Sequence, residues 1–101
     1  MKTLFVALLA FPALAADPLA GREAALRWCA ACHAVPGAPA PQTATDGVPS
    51  FAAVANDYAG RPDALKGFLA APHEPMPPLE LSTRQIDDIA AFILDPRRAR
   101  P

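Results

Sequence analysis

The sequence predicts an all-α domain of about four short helices joined by long loops. Four stretches combine good helix formers with residues that start and stop helices. No window shows the sustained alternation of apolar and polar residues that marks a half-buried strand. The prolines after residue 15 fall at the starts of these stretches, between them or beyond the last one, where they exclude helix interiors and central strands.

The N-terminus has the pattern of a secretory signal peptide. Lys2 is followed by a short apolar run and then by small residues, with Ala13 and Ala15 at the spacing that signal peptidase recognises. The run falls well below the roughly 20 residues that span a bilayer. We therefore expect cleavage of residues 1–15, export to the periplasm and no stable insertion into a membrane.

Residues 16–96 form one predicted domain, and residues 97–101 form a basic tail that we expect to be solvated. The chain has a net charge of −1, yet three of its nine Lys and Arg residues, Arg97, Arg98 and Arg100, lie in this tail. The body is therefore acidic, which argues against nucleic acid as a partner because phosphate binding needs a basic face. So small a domain buries a marginal core, so we expect a prosthetic group or another staple.

The first predicted helix covers residues 17–33 and carries both cysteines. Pro18 suits its first turn, and Ala, Leu, Arg and Glu favour its interior. Cys29, Cys32 and His33 stand at i, i+3 and i+4, so this helix would present both thiols and the imidazole on one face. Such a face can serve a single planar ligand.

Two shorter helices are predicted in the middle of the chain. Pro49 and Ser50 start the second helix, and Gly60 stops it. Pro62 starts the third helix, and Pro72 ends it. The third helix has an apolar face made of Leu65, Phe68 and Leu69.

Ser82 and Gln85 predict the start of the last helix, because they stand at the spacing of a capping box, and Pro96 ends it. One face is apolar and predicts core contacts: Ile86, Ile89, Ala90 and Ile93. The charged residues predict the solvent face: Arg84, Asp87, Asp88 and Asp95.

Two Pro-rich segments without apolar periodicity separate the helices. Residues 34–47 form a loop of a length that is uncommon without a function, and we expect it to wrap around a ligand. Residues 72–81 contain four prolines and are predicted to be extended and stiff.

The segment RWCAACH admits several interpretations, which differ in what the cysteines hold. A thioredoxin-like dithiol needs a preceding strand, which is not predicted, and a disulfide between Cys29 and Cys32 would stabilise little. A zinc site with His73 would crowd His33 beside Cys32. C-x-x-C-H is also the attachment motif of c-type haem, in which Cys29 and Cys32 form thioethers and His33 binds the iron. We favour haem because it uses every residue of the motif.

With these residues the chain resembles the small soluble class I c-type cytochromes, from Gly21 to Leu94. Members of this family have a Gly eight residues before the first Cys, C-x-x-C-H, a Pro-containing loop, a distal Met loop and a C-terminal helix with an aromatic. The matching residues are Gly21, Cys29, Cys32, His33, Pro49, Met76 and Phe92. The resemblance implies the cytochrome c fold, one covalent haem c attached outside the cytoplasm, and a close crossing of the terminal helices.

That crossing is expected at Gly21, with Phe92 packed against it. Ala25 stands where members of the family often carry an aromatic, and Trp28 is expected to compensate.

The sixth iron ligand is expected to be Met76, the only methionine after the signal peptide. A thioether favours ferrous iron and raises the reduction potential relative to a second imidazole. His73, on the same loop, is the competing ligand and would give a lower potential. An open sixth site is the remaining alternative.

The imidazole of His33 needs an acceptor for its second ring nitrogen. The family resemblance suggests a backbone carbonyl from a proline loop, and Pro49 is the expected source, with Pro36 behind it. Phe51, Phe68 and Leu79 are predicted to line the haem pocket. Leu65, Leu81 and Ile89 are further candidates, although simple core packing accounts for each of them equally well.

We therefore predict a periplasmic, monomeric single-electron carrier that cycles its haem between Fe(II) and Fe(III). Its partners would be redox proteins, namely a periplasmic dehydrogenase, a reductase or a terminal oxidase. No Ser-His-Asp set, phosphate loop or carboxylate pair indicates an enzyme. The alternatives are a small haem subunit of a dehydrogenase or oxidase complex, a haem sensor or enzyme with an open or His73-ligated distal site, and an exported dithiol.

Overall fold

A computed structural model describes residues 15–39, 47–72 and 74–99, without the side chains of residues 98 and 99. It contains helices α1 (Pro18–Trp28), α2 (Phe51–Asp57), α3 (Pro62–Ala70) and α4 (Thr83–Leu94), followed by one 3₁₀ turn (Pro96–Ala99). The described residues include no strand, which agrees with the predicted all-α class. None of their helices is long and apolar enough to cross a membrane. The predicted signal peptide up to Leu14, His73 and Arg100 lie outside the described residues.

Helix α1 begins as predicted but ends five residues earlier. The side chain of Asp17 caps its start by accepting a hydrogen bond from the Leu19 N–H at 2.9 Å. At its other end, the N–H groups of Cys29 and Ala30 both donate to the Ala25 carbonyl oxygen, at 2.8 and 3.0 Å. Because one carbonyl serves two donors, the regular ladder stops, and the prediction that the helix continues to His33 is wrong.

Helices α2 and α3 follow the predicted signals. Ser50 caps α2, since its hydroxyl accepts a hydrogen bond from the Ala53 N–H at 3.1 Å. Gly60 has a φ of 72°, a conformation that glycine adopts without strain, and it lies in the turn after α2. Pro62 is the first residue of α3.

Helix α4 begins with the predicted capping box. The Gln85 N–H donates to the Ser82 hydroxyl at 3.0 Å, and the Ser82 N–H donates to the Gln85 side chain at 2.8 Å. Ile89 and Ile93 are almost fully buried. Asp88 is buried as well, so its prediction for the solvent face is wrong. Its carboxylate accepts hydrogen bonds from the Asp17 N–H and the Arg84 guanidinium.

Helix α1 crosses α4 at Gly21. A Cβ added to Gly21 would lie 1.9 Å from the carbonyl oxygen of Asp88, so only glycine allows this approach of the two backbones. Ala25, one turn further along α1, is fully buried in the same core cluster as Phe92. Trp28 is 48% exposed, so its predicted compensation for Ala25 is wrong. The close crossing leaves room for a small side chain instead.

Candidate metal centre

A cavity of about 440 Å³ lies between the C-x-x-C-H segment, α2, α3, α4 and the Pro-rich segment that precedes α4. Its volume falls in the range of about 300–1,000 Å³ that is usual for small-molecule sites. Four side chains with metal-binding or covalent chemistry line it: Cys29, Cys32, His33 and Met76. Most of the wall is apolar and comes from Phe51, Val54, Tyr58, Leu65, Phe68, Leu69, Ile89 and Ile93.

The C-x-x-C-H segment forms a turn of its own directly after α1. The N–H groups of Cys32 and His33 both donate to the Cys29 carbonyl oxygen, at 3.1 and 2.9 Å. This turn repeats the i, i+3 and i+4 spacing of a helix although α1 has ended. Both thiols and the imidazole therefore face the same cavity.

The two cysteines differ in their surroundings, since Cys29 is buried and Cys32 is exposed. Burial raises the pKa of the Cys29 thiol to about 11, because an apolar environment disfavours the thiolate. A redox-active dithiol needs a thiolate near neutral pH. Cys29 would therefore not serve as the attacking thiolate of such a pair.

The imidazole of His33 is held from the start of α2. Its Nδ1 lies 2.6 Å from the carbonyl oxygen of Pro49, and the Phe51 N–H donates to the Ala34 carbonyl oxygen at 3.0 Å. With the proton on Nδ1, this nitrogen donates to Pro49, and Nε2 keeps a lone pair for a metal.

Met76 reaches the cavity from a turn that follows α3. Its side chain is half-buried, and Pro75 and Pro77 on either side also line the cavity. Proline on both sides restricts the backbone of this segment even without a ligand. The sulfur is a soft, neutral donor of the kind that binds haem iron.

Some of the predicted pocket residues line the cavity, and others lie outside its lining. Phe51 and Phe68 line the cavity, whereas Leu79 and Leu81 do not. The Leu81 N–H donates to the Leu79 carbonyl oxygen at 2.8 Å, and Leu81 packs on the core cluster.

Val54 and Tyr58 line the cavity without having been predicted to do so. They follow Phe51 at i+3 and i+7, so helical spacing counted from Phe51 is the signal that could have found them. The charged residues on the described lining are the acids Asp57 and Glu74, and no Lys or Arg lies on it.

The donor set suits a haem bound covalently rather than a bare ion. Two thiols, an imidazole with one nitrogen available and a thioether surround an apolar space, as a c-type haem requires. Among the described residues, which leave out His73, no group of three or more Cys, His, Asp or Glu side chains could hold a metal ion directly. The zinc interpretation therefore gains no support from them.

Comparison with known proteins agrees with this geometry. The family model described as cytochrome c oxidase, cbb3-type, subunit III matches residues 16–93. Cytochrome c-552 of Bradyrhizobium diazoefficiens is 46% identical over 81 residues, which are 80% of this chain and 76% of that protein. No solved structure matches the chain significantly. The chain therefore belongs to this cytochrome c family, as a small class I c-type cytochrome that carries electrons on a covalently bound haem c.

Proposed function

We propose that Cys29 and Cys32 hold the haem by thioether bonds and that His33 and Met76 bind its iron from opposite sides. One observation carries this proposal: Met76, 43 positions beyond His33, lines the same cavity as the C-x-x-C-H segment. Two separate segments thus bring complementary iron donors to one space. Haem c, when bound, supplies an Fe(III)/Fe(II) couple that takes up and releases one electron.

The chain's own residues tune this couple in opposite directions. The Pro49 carbonyl accepts the Nδ1 proton of His33, which makes the imidazole a stronger donor and favours the ferric state. The thioether of Met76 favours the ferrous state. Pro75 and Pro77 reduce the entropy that is lost when Met76 is held against the iron.

The spectrum of the periplasmically expressed protein tests the ligand assignment. The wild type should be low-spin in both oxidation states and should show the weak ferric charge-transfer band at the red end of the visible spectrum that reports Met ligation. Met76→Ala should lose this band, bind CO rapidly when reduced and have a lower potential.

His73→Ala is the matched control, because His73 lies three residues from Met76 on the same loop. It should keep the band and the potential of the wild type. Loss of the low-spin spectrum in His73→Ala, with no change in Met76→Ala, would assign the sixth position to His73 instead. A wild-type protein that binds CO without displacing a ligand would indicate an open site.

We also propose that the carrier works in the periplasm, after cleavage of residues 1–15, and exchanges electrons with a dehydrogenase, a reductase or a terminal oxidase. The signal-peptide pattern and the covalent haem support export, because the cytochrome c family attaches haem outside the cytoplasm. Fractionation of cells that express the full chain tests this. A haem-loaded, processed protein in the periplasmic fraction is expected, and an unprocessed protein in the cytoplasm would contradict it.

A small subunit of an oxidase complex is the second candidate function, and the description of the matching family as an oxidase subunit favours it. Purification at native expression levels separates the two. A free carrier should elute as a monomer from the periplasmic fraction. Co-elution with other haem proteins from detergent-treated membranes would instead favour the subunit.

A further inference from the structure

The start of α2 contacts the end of the C-x-x-C-H segment at two backbone positions. The Pro49 carbonyl oxygen lies 2.6 Å from His33 Nδ1, and the Phe51 N–H donates to the Ala34 carbonyl oxygen at 3.0 Å. The Ser50 hydroxyl caps α2 between these two contacts. The backbone at the start of α2 is therefore held against the backbone of Ala34, and the Pro49 carbonyl is held within reach of the His33 ring.

A third contact joins the side chains. The Phe51 ring lies 5.8 Å from the His33 ring, centroid to centroid, with 55° between the planes. The Phe51 ring also lies 6.1 Å from the Phe92 ring of α4, at 58°. Phe51 and Phe92 are both buried. Two tilted ring pairs that share Phe51 thus connect α4 with His33, at distances typical of favourable ring pairs.

The hydrogen bond to Pro49 restrains the imidazole at one ring atom, Nδ1, and small changes of χ1 and χ2 keep this bond within its broad angular range. A neighbouring group packed against the ring narrows the range, because close-packed side chains have few alternative positions. Phe51 supplies such a group, and Phe92 of α4 contacts Phe51 in turn.

We propose that Phe51 is a positioning residue that sets the orientation of the His33 imidazole plane and that Phe92 supports it from α4. This inference rests on the proposed role of His33 as an axial ligand. In a low-spin ferric haem, the orientation of a bound imidazole plane, together with that of a bound thioether, determines which edge substituents of the porphyrin carry unpaired spin. The proton NMR spectrum of the ferric protein therefore reports this orientation without measuring electron transfer.

The test compares the haem-loaded variants Phe51→Leu and Phe68→Leu with the wild type. Phe68 is the matched control, because its ring also lines the cavity but pairs with Tyr58, at 6.4 Å. Both variants lose one ring from the cavity wall, so both should melt at a lower temperature. Only Phe51→Leu should redistribute the hyperfine-shifted haem methyl resonances. Equal changes in both variants, or no change in Phe51→Leu, overturn the proposal.

Phe92→Leu provides a second route if Phe51→Leu does not incorporate haem. Removal of the supporting ring should change the same methyl resonances in the same direction by a smaller amount. An unchanged methyl pattern in Phe92→Leu would then overturn the proposal. The wild-type spectrum distinguishes this failure from failure of the proposed function, because resonances of an iron-bound His and Met must be present before any variant is compared.

Discussion

At the scale of single residues, Asp88 shows what a sequence pattern cannot reveal. On α4 it stands among charged residues, and the pattern predicts that it faces solvent. Its carboxylate instead accepts the Asp17 N–H at 2.8 Å and pairs with Arg84 at 3.3 Å. Asp17 precedes α1, so the carboxylate also lies at the positive end of the α1 dipole. Its partner is 71 positions away, and local spacing carries no information about it.

Replacement of Asp88 should therefore be costly for stability. Asp88→Ala leaves the Asp17 N–H and the Arg84 guanidinium without this acceptor, and we expect a loss of about 2–3 kcal/mol in the free energy of unfolding. Asp87→Ala is the control. Asp87 pairs with Lys66 at 3.4 Å where both are partly exposed, and such pairs contribute less than about 1 kcal/mol. Urea denaturation of the haem-loaded proteins measures both values, and equal losses would contradict this account of Asp88.

At the scale of the elements, the sequence predicts correctly the features that depend on residues close together in the chain and fails for those that depend on distant ones. Helices α2, α3 and α4 start where proline and capping residues predict, because these signals act within one turn. The predicted end of α1 is wrong because two N–H groups share the Ala25 carbonyl, and this sharing depends on the path of the chain beyond Trp28. The spacing of side chains does not predict that path.

The same reasoning applies to the residues of the site. Cys29, Cys32 and His33 lie within five consecutive residues, so their common direction follows from a single turn, whether or not the helix continues. The place of Tyr58 on the cavity follows from helical spacing counted from Phe51. The place of Leu79 depends instead on the path of the Pro-rich segment between α3 and α4, which local spacing does not predict.

The crossing of α1 and α4 leads to a second stability prediction. Gly21→Ala would place its Cβ 1.9 Å from the backbone of Asp88, so the helices must separate, and we expect a loss of about 2–3 kcal/mol. Gly67→Ala is the matched control within α3. Its Cβ would meet no atom within 4 Å, and alanine favours a helix over glycine by up to about 1 kcal/mol. The melting temperature should therefore fall in Gly21→Ala and rise in Gly67→Ala. An unchanged melting temperature in Gly21→Ala would contradict the described crossing.

At the scale of the whole molecule, the cavity determines whether the chain can fold without haem. Without haem, the apolar walls of a space of about 440 Å³ would lack their packing partner, and unfilled apolar space lowers stability. The whole stability of a small domain is only about 5–15 kcal/mol, so there is little margin for this loss.

We accordingly predict that Cys29→Ala/Cys32→Ala, which cannot attach haem, is largely unfolded. Far-ultraviolet circular dichroism should show a marked loss of helix and no cooperative melt. The haem-loaded wild type, measured at the same concentration, provides the reference. Helix content near that of the wild type, together with a cooperative melt in the double variant, would mean that the apolar walls collapse into a core of their own.

The pairing of α1 with α4 also has a consequence for the order of events during biogenesis. These helices are the first and last α-helices of the described sequence, so their contact closes a loop that contains most of the domain. Contacts so distant in sequence form slowly. Until Thr83–Leu94 has emerged and docked, the core around Cys29 is incomplete and its thiol stays accessible. The proposed attachment of haem to Cys29 therefore requires access before α4 has docked, because the completed fold buries this thiol.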